Sequence, residues 1–144
     1  MIWKNEVSNL KLLNEINSNC LPGHLGIIIT EIGDDYIKAT MPIDNRTKQP
    51  MGLLHGGASV ALSETVGSIA AIISAGPYGE YTAVGVEINA NHLKAGKKGL
   101  VHSITKPIRV GKTIQVWNTD IFDEEGHLLC TSRLTVMVQK LNKE

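Results

Sequence analysis

The sequence predicts an α+β fold in which one long apolar helix is wrapped by an antiparallel β-sheet. Three observations carry this. Residues Gly56–Ala75 are almost all small or apolar, with Ala58, Ala61, Leu62, Thr65, Ile69 and Ile72 at helical spacing. Six other segments are strand-like, mostly rich in Val, Ile and Thr. Consecutive strands are joined by short Gly-containing turns, which imposes antiparallel pairing.

Taken in order, residues 7–18 carry Val7, Leu10, Leu13 and Ile16 at steps of three, a short amphipathic helix. Pro22-Gly23 breaks it. Residues 24–31 read as a strand, Gly33-Asp34-Asp35 as a turn, and 36–43 as the hairpin partner. Residues 44–52 are polar and turn-rich. Gly56–Ala75 then forms a helix of about 30 Å, ended by Gly76-Pro77. Four strands follow: Tyr81–His92, 99–106, 113–123 and 128–141, with Gly96, Gly111 and Gly126 in the turns. A helix apolar nearly all round needs covering on every side, so the sheet is expected to wrap it.

Composition bounds the function. One domain, residues 1–144, is expected. Fourteen Lys and Arg balance fourteen Asp and Glu, so no global field favours nucleic acid or a membrane surface. Cys20 and Cys130 lie far apart, match no metal spacing, and suit a reducing cytoplasm. The N-terminus turns polar too soon for a signal peptide. The longest apolar stretch, about 69–75, is too short to span a bilayer.

Chemistry concentrates in residues 53–68, LLHGGASVALSETVGS. Between Leu54 and Ile73, Glu64 is the only acidic residue, and no Lys or Arg occurs. A carboxylate in such a helix is costly without partners or a task. The run opens on His55-Gly56-Gly57, a helix start whose free N–H groups suit an oxyanion. Carboxylate and N–H groups together point to hydrolysis. Glu64 and Ser68, four apart, share a helix face. A second signal is independent: residues 88–119 hold no Asp or Glu, yet carry Lys94, Lys97, Lys98, Lys106, Arg109 and Lys112. Segregated positive charge suits a polyanionic ligand such as the phosphates of coenzyme A. A bland reading stands beside each signal, a satisfied buried carboxylate for Glu64 and a solvated lysine face for the basic stretch.

The motif Gly52-Leu53-Leu54-His55-Gly56-Gly57 with Glu64, together with Met1-Ile2-Trp3-Lys4, His24-Leu25-Gly26 and Phe122-Asp123, resembles the hotdog-fold acyl-CoA thioesterases over nearly the whole chain. Within them it is similar to the 1,4-dihydroxy-2-naphthoyl-CoA thioesterases of menaquinone synthesis and the related aroyl-CoA thioesterases. The resemblance implies Glu64 as nucleophile or general base. Gly56 N–H would polarise the thioester carbonyl and Gln49 would assist it. His55 would orient the thioester or its leaving sulfur, and Ser68 would bond near the carboxylate or its water. Coenzyme A would be held by Gly85, by His92, Leu93, Lys94 and Ala95, and by the turn Arg109, Val110, Gly111, Lys112 and Thr113. This chain departs from the pattern at Leu93 and Lys94, where relatives often carry His and Arg; Lys lacks the bidentate fork of Arg. The resemblance further implies a homo-oligomer, a dimer of dimers with active sites between subunits, and no metal or organic cofactor, coenzyme A being part of the substrate.

The thiolate is a good leaving group, so no Ser-His-Asp triad is required. Hydrolysis of an aromatic acyl-CoA is the leading expectation. Phenylacetyl, hydroxybenzoyl and medium-chain acyl-CoA, and acyl-carrier-protein thioesters, stay open. A hydratase on the same fold would want an Asp and a His at the helix, and the helix carries no Asp. A non-catalytic acyl-CoA binder would not need a carboxylate facing a thioester.

Overall fold

The computed structural model describes residues 1–4, 9–77 and 79–142. Two short helices, α1 (Leu10–Asn17) and α2 (Leu21–His24), lead into strands β1 (Ile28–Ile32) and β2 (Ile37–Pro42). The long helix α3 (Gly56–Ala75) follows, then β3 (Tyr81–His92), β4 (Leu100–Val110), β5 (Ile114–Phe122) and β6 (Leu128–Lys140). The six strands form one antiparallel sheet in the order β1-β2-β4-β5-β6-β3. Helix α3 leaves β2 near one edge and delivers the chain to β3 at the other, lying across the sheet as the sequence predicts.

The packing follows from residue size. Strand β2 turns Ile37, Ala39 and Met41 inward and β5 turns Gln115, Trp117, Thr119 and Ile121 inward, at the period of two that a strand imposes. Against them α3 buries Leu62, Val66, Ala70 and Ala71. Its small residues let the backbone approach closely: a Cβ on Gly67 would stand 2.7 Å from Cδ2 of Leu134. The inward polar groups of the strands are paired, as burial demands. The Gln115 side-chain oxygen accepts from Trp117 Nε1 at 3.0 Å and from Ser74 Oγ at 3.1 Å, and the Thr105 and Thr119 hydroxyls bond at 2.7 Å. Trp3 stacks on Trp117 with ring centres 6.0 Å apart.

Several expected boundaries move. The strand expected over 24–31 starts at Ile28, because residues 21–24 make one helical turn. The first helix ends at Asn17, ahead of Pro22, and Pro22 itself lies within the next helical turn, where a proline costs nothing. Helix α1 begins at Leu10, where the Asn9 side chain accepts from Leu12 N–H; Val7 lies outside the described residues. Strand β4 runs past the expected end at Lys106, through an irregularity between Pro107 and Arg109, so Arg109 and Val110 belong to the strand and the turn begins at Gly111. As a whole, α3 is long and apolar enough to cross a membrane, with a mean hydropathy of 1.5, although its longest apolar stretch is short. More than half of it is buried against the sheet, as a core helix requires.

The sheet's two edges differ. On β1, the Asn14 side chain donates to Ile29 C=O at 3.0 Å and accepts from Ile29 N–H at 2.8 Å. That edge is capped by α1. Strand β3, twelve residues long, pairs with β6 alone among the described residues and leaves Val84 and Val86 exposed.

Candidate active site

The loop before α3 is tied down at both ends. Thr47 is buried and donates through Oγ1 to Pro42 C=O at 2.6 Å. Asp44 pairs with Arg46, whose hydrogen bonds hold the Asp44 carboxyl down at about 2. His55 N–H donates to Thr47 C=O and Leu54 N–H to Gly96 C=O, both at 2.8 Å. Gln49 sits in a tight turn closed by Gly52, whose φ of 81° favours a residue without a side chain. Its Oε1 accepts from Met51 N–H, which leaves the amide Nε2 as a free donor.

His55 caps α3. Its Nδ1 accepts from Gly57 N–H at 2.8 Å, and its carbonyl takes Ala58 and Ser59 N–H. In the neutral ring the cap places the proton on Nε2, so His55 offers a donor outward. The remaining first-turn donor, Gly56 N–H, meets no acceptor among the described residues. It is an open N–H at the positive end of a twenty-residue helix, the geometry that stabilises an oxyanion.

Gly56 and Gln49 line a cavity of about 380 Å³ with Ser59, His92, Leu93, Lys94 and Ala95. The absence of a Cβ at Gly56 is required here, because one would stand 2.8 Å from His92 Nε2. The cavity thus joins two expected oxyanion groups to one expected coenzyme A segment. It also adds Ser59, which the sequence pattern did not single out. The Ser59 hydroxyl is buried, with no hydrogen-bond partner among the described residues. Its spacing of three from Gly56 was the available signal.

Glu64 stands elsewhere. It is half-buried, with no hydrogen bond or ion pair among the described residues. Its carboxylate lies against Gly85 of β3: a Cβ on Gly85 would be 2.5 Å from Glu64 Oε1. The strand register slips just after Gly85, between Gly85 and Glu87. Ser68, one turn along, has a free hydroxyl on the same side. Eight residues of helix at about 1.5 Å each separate Glu64 from Gly56 by about 12 Å. Within one chain Glu64 does not line the Gly56 cavity.

Two further expectations change in space. Val110, Gly111 and Lys112 line a separate cavity of about 280 Å³ with Ser74, Ala75 and Tyr81, at the other end of α3 from Gly56. The structure therefore does not join this turn to the 92–95 segment within one chain. Nor does the acid-free stretch stay acid-free: Lys94, Lys97 and Lys98 share a cleft with Asp123, Glu124 and Glu125 of the β5–β6 hairpin. Gly99 gives room for the Glu124 carboxylate. Lys94 remains the basic residue that also faces the Gly56 cavity. Asp123, Glu125 and His127 bring ligand atoms within 4.8 Å of one another. That grouping closes the hairpin, since Asp123 Oδ1 accepts from the Glu125 and His127 N–H groups.

The chain belongs to the thioesterase superfamily, a class of thioester hydrolases, whose pattern matches residues 51–130. It is 49% identical to the 1,4-dihydroxy-2-naphthoyl-CoA hydrolase of Escherichia coli (strain K12), over 96% of this chain and 99% of that protein. It is 45% identical to the proofreading thioesterase EntH of Cronobacter sakazakii, over 96% of this chain and 98% of that one. Among solved structures, a thioesterase from Haemophilus influenzae superposes with a TM-score of 0.94 at 48% identity, over 100% of this chain and 99% of that one. The long helix wrapped by an antiparallel sheet is the hotdog fold.

Proposed function

We propose that the protein hydrolyses an aromatic acyl-CoA thioester, 1,4-dihydroxy-2-naphthoyl-CoA in menaquinone synthesis, to the free acid and coenzyme A. The relative at 49% identity supports this choice of substrate. The relative named as a proofreading thioesterase, at 45%, keeps a broad-specificity acyl-CoA thioesterase as the second reading.

In this reading Gly56 N–H and the Gln49 amide hold the thioester oxygen as it gains charge, and the His55 Nε2–H orients the group. Glu64 either attacks the carbonyl carbon, expelling the thiolate and forming an anhydride that water opens, or takes a proton from the attacking water. Both routes end in acid and thiol. Ser68 steadies the carboxylate or its water. Gly85, the segment 92–95 and the turn 109–113 hold coenzyme A. A carboxylate and backbone donors suffice for this chemistry without metal or organic cofactor. Both cysteines being free fits a cytoplasmic protein.

The single observation that carries the site is the separation of Gly56 and Glu64, about 12 Å along one helix. A working site then needs Gly56 and Gln49 from one copy and Glu64 from another. The open edge of β3 fits this, because two such edges pair antiparallel about a two-fold axis and bring Glu64, which packs on β3, to the partner's helix start. Two such dimers form the tetramer, and the coenzyme A groups that lie apart in one chain come from both.

Thiol release from naphthoyl-, benzoyl-, phenylacetyl- and hexanoyl-CoA tests the reaction, with Glu64→Gln expected to lose about 10³-fold or more in kcat. Mixing unfolded Glu64→Gln and Gly56→Ala chains and refolding them tests the sharing. Each alone is inactive. A shared site leaves one intact centre in every mixed dimer, so about a quarter of wild-type activity returns. A site within one chain returns none.

A further inference from the structure

The first turns of α3 hold a hydroxyl that nothing in the fold bonds. Ser59 is 2% exposed, and burial strips a hydroxyl of water, so it needs a partner. Elsewhere α3 meets this need by turning hydroxyls back onto its own carbonyls. Ser63 Oγ donates to Ser59 C=O at 3.1 Å, Thr65 Oγ1 to Ala61 C=O at 2.7 Å and Ser74 Oγ to Ala71 C=O at 3.0 Å. Ser59 does not. The carbonyl four residues before it, His55 C=O, already accepts Ala58 N–H at 3.0 Å and Ser59 N–H at 3.3 Å. A carbonyl has two lone pairs, and both are taken. No other described residue bonds the hydroxyl. The space that Ser59 borders is the Gly56 cavity. A helical side chain leans toward the helix N-terminus and covers the turn before its own. Ser59 thus leans toward Gly56, three residues earlier, which lines the same cavity with an unbonded N–H.

We propose that Ser59 is a third hydrogen-bond donor to the thioester oxygen, a catalytic residue beside Gly56 N–H and the Gln49 amide. The inference rests on the oxyanion reading of that cavity. When the nucleophile adds to the carbonyl carbon, the π pair of C=O moves onto oxygen. The oxygen then carries a full charge and three lone pairs, one more than Gly56 and Gln49 can serve. As the C–S bond breaks, that pair re-forms C=O and the thiolate leaves with the C–S electrons. Ser59 keeps its proton throughout, giving a hydrogen bond and no proton.

Two features suit Ser59 to this task. Leu54 and Leu129 line the cavity with it, and a hydrogen bond to a developing charge strengthens where water is excluded. A hydroxyl also rotates about its Cβ–Oγ bond. It can follow the oxygen as the carbonyl carbon turns tetrahedral, which a backbone N–H fixed in the helix cannot.

Ser59→Ala removes one oxygen and leaves the better helix former, so the variant should fold. Its melting temperature should equal or exceed that of wild type, because the lost group has no bond within the protein. On both 1,4-dihydroxy-2-naphthoyl-CoA and hexanoyl-CoA, kcat should fall by the same factor, about 10–100-fold, with KM within about twofold. The common factor follows because both esters present the same carbonyl. A raised KM with kcat kept, or an effect confined to one acyl group, overturns the proposal, since Ser59 would then bind the ground state or the acyl group. A lower melting temperature overturns it too, by showing that the hydroxyl is bonded within the fold. Gln49→Ala, measured alongside, separates this inference from the reading beneath it. A loss of kcat in Gln49→Ala with Ser59→Ala unchanged keeps the oxyanion site and removes Ser59 from it. No loss in either variant removes the oxyanion site from this cavity, and Ser59 with it.

Discussion

At the scale of single residues, the site depends on what is missing as much as on what is present. Gly85 has no Cβ, and the Glu64 carboxylate occupies that space. In Gly85→Ala the new methyl meets only the end of a flexible side chain, so the fold should persist with an unchanged melting temperature. The displaced carboxylate should cost about 100-fold in kcat, the usual consequence of moving a reacting group by about 1 Å; full activity would mean that the position of Glu64 is not critical. His55 caps α3 and, in the proposed reading, also orients the thioester. His55→Ala removes the cap on Gly57 N–H and should cost about 1 kcal/mol in denaturant unfolding. His55→Asn restores a cap but not the outward Nε2–H. Stability recovered without activity would show that the ring acts on the thioester, whereas recovery of both would leave His55 as a cap alone.

At the scale of elements, α3 was legible from end to end. Its run of small and apolar residues coincides with the helix from Gly56 to Ala75. The strands were legible in type, and their ends shifted where local chemistry overrode pattern: Pro22 entering a helical turn, and β4 continuing past Pro107 with a register shift between Pro107 and Arg109. The small residues of α3 also set how near the sheet can come. Gly67→Val would push into Leu134 and should cost about 1–3 kcal/mol of stability through overpacking, measured by urea unfolding. A neutral result would show that β6 can retreat.

At the scale of the whole molecule, the open β3 edge is the feature that invites assembly. Val84→Lys with Val86→Lys places like charges along it and should shift the protein toward monomer in sedimentation velocity. Activity should fall in parallel if the site is shared, while a tetramer of unchanged stability would place the contact elsewhere. Charge also takes its meaning only at this scale. The stretch from 88 to 119 carries no acid in sequence, yet the β5–β6 hairpin sets Asp123, Glu124 and Glu125 beside Lys97 and Lys98. Sequence distance says nothing about which hairpin folds back on which loop.

Periodicity and an isolated carboxylate are local properties of the chain. For that reason the class of fold, the long helix and the candidate residues of the site could be read from the order of amino acids. How those residues combine is a matter of three-dimensional packing. It put His92 over Gly56, Glu64 against Gly85, and a buried free hydroxyl at Ser59. It also kept Gly56 and Glu64 apart, since a helix fixes the rise per residue and no packing of a single chain can shorten it.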